Sequence, residues 1–167
     1  MDMKEMNLMG LIGIIGAVIL VIGVFMGWVH PDLNDKTYTG WDLYNNVDNI
    51  ADSAIGYSGM NYTYVPLIAL ICGIISLALM IMPTIMNVEK FEQINNILGI
   101  VALILAIVVV ICGILWYTQE MTVLTVTKPM TEFGTVEAGF WLVLVGGIIT
   151  MLGGLMPILK NKGIIKF

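Results

Sequence analysis

Four stretches of this chain carry no charged side chain: Asn7–Val29, Tyr64–Val88, Ile94–Tyr117 and Ala138–Leu159. A helix rises about 1.5 Å per residue and the hydrocarbon core of a bilayer is about 30 Å thick, so all four are long enough to span it. Charged residues make up 11% of the 167 positions, against about 25% in soluble domains. The expectation is an all-α integral membrane protein, a four-helix transmembrane bundle forming one domain, 1–167. The spans fall near 7–29, 64–88, 94–117 and 138–159, with outer loops at 30–63 and 118–137. The first run is longer than the ~7–15 residues of a signal-peptide core, and no small-x-small cleavage site follows. It is read as a retained helix.

Lysine sets the orientation, because the chain has no arginine. Lys4, Lys90, Lys160, Lys162 and Lys166 fall on one side, Lys36 and Lys128 on the other. The positive-inside bias places both termini in the cytoplasm of a multi-pass cell-membrane protein. The outer side then holds Asp32, Asp35, Asp42, Asp48, Asp52, Glu120, Glu132 and Glu137 and is strongly acidic. Trp28, Tyr62, Tyr64, Trp116, Tyr117, Phe140 and Trp141 gather where the spans meet the outer headgroups, as amphipathic rings prefer. Only Phe91 and Phe167 lie on the inner side.

The sequence contains an internal repeat. "CGIISLALMIMPTI" (72–85) aligns without gaps on "GGIITMLGGLMPIL" (146–159), with Ser76 facing Thr150. Trp28 and Trp116 end the first and third runs at a different offset, the difference being extra length in the first outer loop. Two duplicated helical hairpins explain this; chance similarity between apolar segments is the competing reading.

The extra length has a pattern of its own. Thr39-Gly40-Trp41-Asp42 has capping-box spacing, with Asp in place of Glu or Gln. Behind it Leu43, Val47, Ile50 and Ala54 recur on one helical face, and Gly56 can stop the helix. A short amphipathic helix over 40–55 is expected, carrying Trp41 and Tyr44 near the interface. In the second loop "TVLTVT" (122–127), "KPM" and "TEFGTV" (131–136) predict a β-hairpin that turns at KPM. Together these form a small outer cap.

Small residues line each span at helical spacing, and close backbone approach across them supplies the contact that lipid does not. Gly16, Gly23, Gly27, Gly73, Ser76, Gly146 and Thr150 are the candidate packing positions. Gly23-x-x-x-Gly27 is the candidate for contact between subunits. Pro66 suits a first helical turn, whereas Pro83 and Pro157 each remove a helical hydrogen bond and predict a bend or an early end.

No Asp, Glu, Lys, Arg or His lies inside a span, which counts against pumps and proton-coupled transporters. A single histidine excludes a bis-His haem within the chain and a His-rich metal site. Cys72 and Cys112 read as buried small side chains. Asp32 and Asp35 lack the further ligands of a calcium loop and read as solvated charge. Asn61-Tyr62-Thr63 is an N-glycosylation sequon beside the membrane. No nucleophile–base pair is visible, so no enzyme, cofactor or metal is expected, and no nucleic-acid partner.

Four spans, a long first outer loop with "GWDLY" (40–44) and a shorter β-rich second loop are similar in outline to claudin-like tetraspan proteins. Small prokaryotic four-span proteins of unassigned role share the plan. The claudin first loop pairs a Gly-Leu-Trp motif with two cysteines, and the loop here has no cysteine. The family's adhesive and sealing role is therefore assigned to no residue. The reading reached is a non-enzymatic membrane protein whose outer cap mediates self-association or contact within a membrane complex. Trp28, Trp41, Asp42, Tyr44 and Trp116 are the candidate contact surface. The alternative is an oligomeric channel or small-solute passage lined by glycine, Ser76 and Thr150.

Overall fold

A computed structural model describes residues 8–32, 36–45, 57–58, 62–85, 92–123 and 126–164. The chain is mostly helical. Four long helices dominate: α1 (Leu8–Phe25), α3 (Val65–Ile85), α4 (Glu92–Tyr117) and α5 (Ala138–Asn161). A short α2 (Gly40–Asn45) lies in the first loop. Val65–Met82, Asn96–Tyr117 and Ala138–Leu159 are long and apolar enough to cross a membrane; the apolar part of α1, Gly10–Phe25, is shorter. The helices pack in a ring, α1 beside α3, α3 beside α4, α4 beside α5 and α5 beside α1, with the α1–α5 contact the most extensive.

At one end of the ring the two loops build β-structure, which is more extensive than the single hairpin expected in the cap. The strands are β1 (Gly27–Pro31), β2 (Tyr38–Thr39), β3 (Tyr57–Ser58), β4 (Glu120–Val123), β5 (Val126–Pro129) and β6 (Gly134–Val136), with a 3-10 turn at Met130–Glu132. They form two antiparallel three-stranded sheets, in the orders β2-β1-β6 and β3-β4-β5. Each loop keeps its first two strands together and gives its last strand to the sheet of the other loop. Exchanging the two halves of the chain converts one sheet order into the other. The topology thus has the symmetry of the internal repeat. Most of the added length of the first loop lies between its second and third strands, at residues 40–56, where the second loop has only 130–133.

Three further boundaries are corrected. The first apolar run leaves the helix at Phe25, not at Val29. Gly27–Pro31 is extended because Val29, His30 and Pro31 pair with Val136, Thr135 and Gly134. The expected hairpin is displaced: Glu120–Val123 pairs with Val126–Pro129, so the chain turns inside "TVLTVT" rather than at "KPM". The segment 134–136 is then free to join β1. Alternation of β-branched residues marks strands without naming their partners. Pro157 does not end α5, which continues to Asn161. Of the amphipathic helix expected over 40–55, Gly40–Asn45 is helical and 46–55 lies outside the described residues.

The core runs without interruption from bundle to cap. Leu20 and Val24 of α1, Val65, Ala69 and Cys72 of α3, Val109 and Trp116 of α4 and Phe140 and Val143 of α5 join Trp28, Tyr38, Leu43 and Met130 of the cap. The opposite helix faces expose isoleucine and valine, among them Ile97, Ile104 and Ile111 on α4.

Candidate functional site

The cap is organised around α2, whose sequence "TGWDLYN" sets its geometry. The Thr39 backbone N–H and hydroxyl both donate to Asp42 Oδ2, at 3.1 and 2.8 Å, and the Asp42 N–H donates to Thr39 Oγ1 at 3.0 Å. This is the reciprocal capping box. It occupies one Asp42 oxygen and leaves that carboxylate a structural duty beside any role in contact. Gly40 lies flat on the Trp28 indole: a methyl there would come to 2.7 Å from the ring and from the Val24 carbonyl oxygen. Leu43 is fully buried on the same side.

These constraints turn Trp41 and Tyr44 outward, 37% and 39% exposed. Phe25, at the end of α1, lies 6.0 Å from Trp41, and Trp41 lies 5.8 Å from Tyr44, centroid to centroid. The three rings form one exposed aromatic cluster. Two smaller ones sit at the same end of the bundle: Tyr62 with Tyr64 before α3, and Tyr117 with Trp141 where α4 ends and α5 begins.

Trp28 and Trp116 do not belong to that surface. Both are 0% exposed, which corrects their place among the contact residues. Their rings meet edge to face at 5.1 Å, and Phe140 closes the cluster at 5.6 and 4.9 Å. The Trp28 indole N–H is satisfied by the Gly23 carbonyl at 2.9 Å. A tryptophan at a helix end suits the headgroup layer and a loop-covered core equally well; here the cap covers both rings. Sequence reasoning also missed Tyr38, Met130 and Gln119, all buried beneath the cap. Nothing in their local pattern separates them from exposed loop residues.

The packing positions divide by helix pair. Gly16, Gly23, Gly146 and Thr150 lie in the α1–α5 seam, where a methyl on Gly16 would reach 2.5 Å from Thr150 N and one on Gly23 would reach 2.8 Å from Gly139 O. Gly23 is thus covered within the chain and is withdrawn as a subunit contact. Gly27 is a strand residue set against Thr37 and Glu137. Gly73 faces Leu20 and Val21 of α1, and Ser76 is buried. The Thr150 hydroxyl donates to the Gly146 carbonyl at 2.8 Å, so it is already used within its own helix.

Charge on the cap is solvated and paired locally. Lys128 Nζ is 2.8 Å from Glu132 Oε2, with both side chains half-exposed, an arrangement that contributes little to stability. Lys36 stands 5.2 Å over the Tyr38 ring. His30 Nδ1 is within hydrogen-bond distance of Thr37 Oγ1, at 3.1 Å. Among the described residues no three His, Cys, Asp or Glu side chains converge to hold a metal; Asp35 and the Asn61 sequon position lie outside them. Cys72 and Cys112 are free thiols on α3 and α4.

The fold therefore defines an apolar helical bundle closed at one end by two strand-exchanged sheets and an aromatic-bearing helix. No family model, no curated protein and no solved structure matches it.

Proposed function

We propose that this chain is a non-enzymatic, four-span integral membrane protein whose outer cap is a contact surface, used for self-association or within a larger membrane complex. Both termini are cytoplasmic on this reading. The observation that carries it is the Phe25–Trp41–Tyr44 cluster. Trp41 and Tyr44 are held outward by a capped helix that is itself clamped on Trp28, and Phe25 at the end of α1 packs beside Trp41. Tryptophan and tyrosine dominate binding hot spots when presented by a rigid support, because little side-chain freedom is lost on contact. A solute passage through the bundle is disfavoured by the α1–α5 seam. Of the lining expected for one, Ser76 and Thr150 are buried, the Thr150 hydroxyl is bonded to Gly146 O, and a methyl on Gly146 would meet Leu20 N at 2.5 Å.

The test is the assembly state in mild detergent, with co-purifying proteins identified by mass spectrometry, for the wild type and for Trp41→Ala/Tyr44→Ala. The double variant should lose the assembly at least tenfold while keeping its helical content. An unchanged assembly would remove the cap from the interface. Reproducible solute flux through liposomes carrying the wild type would replace the contact reading with the passage.

A further inference from the structure

We propose that the Trp116 indole N–H and the Gln119 amide carbonyl hold a single buried water between them at the junction of cap and bundle. The inference is independent of what the cap contacts. Trp116 is fully buried and Gln119 is 4% exposed. Trp116 Nε1 and Gln119 Oε1 are buried side-chain atoms without a hydrogen-bond partner in the protein. The large majority of buried polar atoms are partnered by protein or by ordered water.

The two atoms are complementary, one a donor and the other an acceptor. Gln119 Nε2 lies 3.4 Å from Met130 Sδ. A thioether can only accept, so the amide nitrogen is the atom facing Met130 and the oxygen points elsewhere. The Gln119 backbone carbonyl oxygen accepts from Met130 N at 3.1 Å, which pins the residue beneath the 3-10 turn. Helical bonding continues past α4 through Thr118 N to Ile114 O at 3.0 Å. Gln119 is bonded to Met130 through its side chain and its backbone, and Met130 belongs to the same buried cluster as Trp116, three residues before Gln119. A water accepts from an indole and donates to a carbonyl at once, and it needs two to four polar partners to stay in an interior. A bare cation would be repelled by the N–H, and an anion by the carbonyl.

Trp28 supplies an internal control. It is equally buried in the same aromatic cluster, but its N–H is spent on Gly23 O. Full-length protein with isotope-labelled indole nitrogens, in lipid nanodiscs, is examined for cross-relaxation between each indole N–H and water. Trp116 should show a long-lived water and Trp28 none. Gln119→Leu should abolish the Trp116 signal and leave the Trp28 resonance in place. The Trp116 resonance is assigned by Trp116→Phe or, if that variant fails to fold, by Trp28→Phe, Trp41→Phe and Trp141→Phe, each of which identifies one of the other three. A Trp116 indole as silent as that of Trp28, one in contact with lipid protons instead, or a water signal that survives Gln119→Leu would each overturn the proposal.

Discussion

The internal repeat equates two seams of the bundle, α1 with α5 and α4 with α3, yet they are built differently. In the first, glycines bring backbone against backbone: a methyl on Gly153 would stand 2.4 Å from Gly13 Cα, and one on Gly146 would stand 2.5 Å from Leu20 N. In the second, the positions matching Gly139, Val143, Gly146 and Thr150 are Val65, Ala69, Cys72 and Ser76, all buried. The glycines of α3 and α4 look elsewhere, Gly73 to α1 and Gly99 and Gly113 to α5. One seam is held by backbone proximity and the other by side chains of ordinary size. Close approach adds many dispersion contacts but leaves no room for adjustment.

The largest test exchanges the equivalent residues. Gly146→Cys should destabilise the bundle by about 3 kcal/mol or more, because the added atoms meet backbone that cannot rotate away. Cys72→Gly should cost about 1–2 kcal/mol through a small cavity and weaker helix propensity. Unfolding in detergent or bicelles measures both; equal costs would mean the seams do not differ as described.

Gly40 extends the comparison into the cap, where tight approach joins α2 to Trp28. Gly40→Ala should lift α2 from the indole at a cost of about 1–3 kcal/mol. Hydrogen exchange would rise in residues 40–45 and the adjoining end of α1 while the opposite end of the bundle keeps its protection. Loss of protection along the whole bundle would show that the cap and the helices fold as one unit.

Thr39→Ala removes the capping box without touching a glycine contact. It should cost about 1 kcal/mol and loosen only α2. An effect as large as that of Gly40→Ala would make the cap, rather than Trp28 packing, the main support of that helix.

The smallest effect is expected at Gly147, the repeat partner of Gly73. A methyl there would meet the Val110 side chain at 3.2 Å, with Val109 Cγ1 and Ala106 O at the ordinary contact distances of 3.6 and 3.9 Å. Gly147→Ala should therefore be near neutral, the helix-propensity gain of up to about 1 kcal/mol offsetting mild crowding. A cost comparable to that of Gly146→Cys would place Gly147 in a rigid seam as well.

What the sequence by itself determined is local. Uncharged runs mark the long helices, because a segment this apolar must satisfy its backbone groups internally. Thr39 and Asp42 mark the start of α2, because a capping box is complete within four residues. The end of α1 at Phe25 rather than Val29 and the hairpin turn ahead of KPM have one reason. A strand ends where its partners end, and one of the two partners of β1, β6, lies more than a hundred residues away. Only the tertiary structure decided that exchange, as it decided that Trp28 and Trp116 are core while Trp41 and Tyr44 are surface. The same ring fits a headgroup layer, a protein interior or a binding face. Which of these surrounds it depends on whether distant segments fold over it, and in this chain two loops close over two of its four indoles and leave Trp41 and Trp141 exposed.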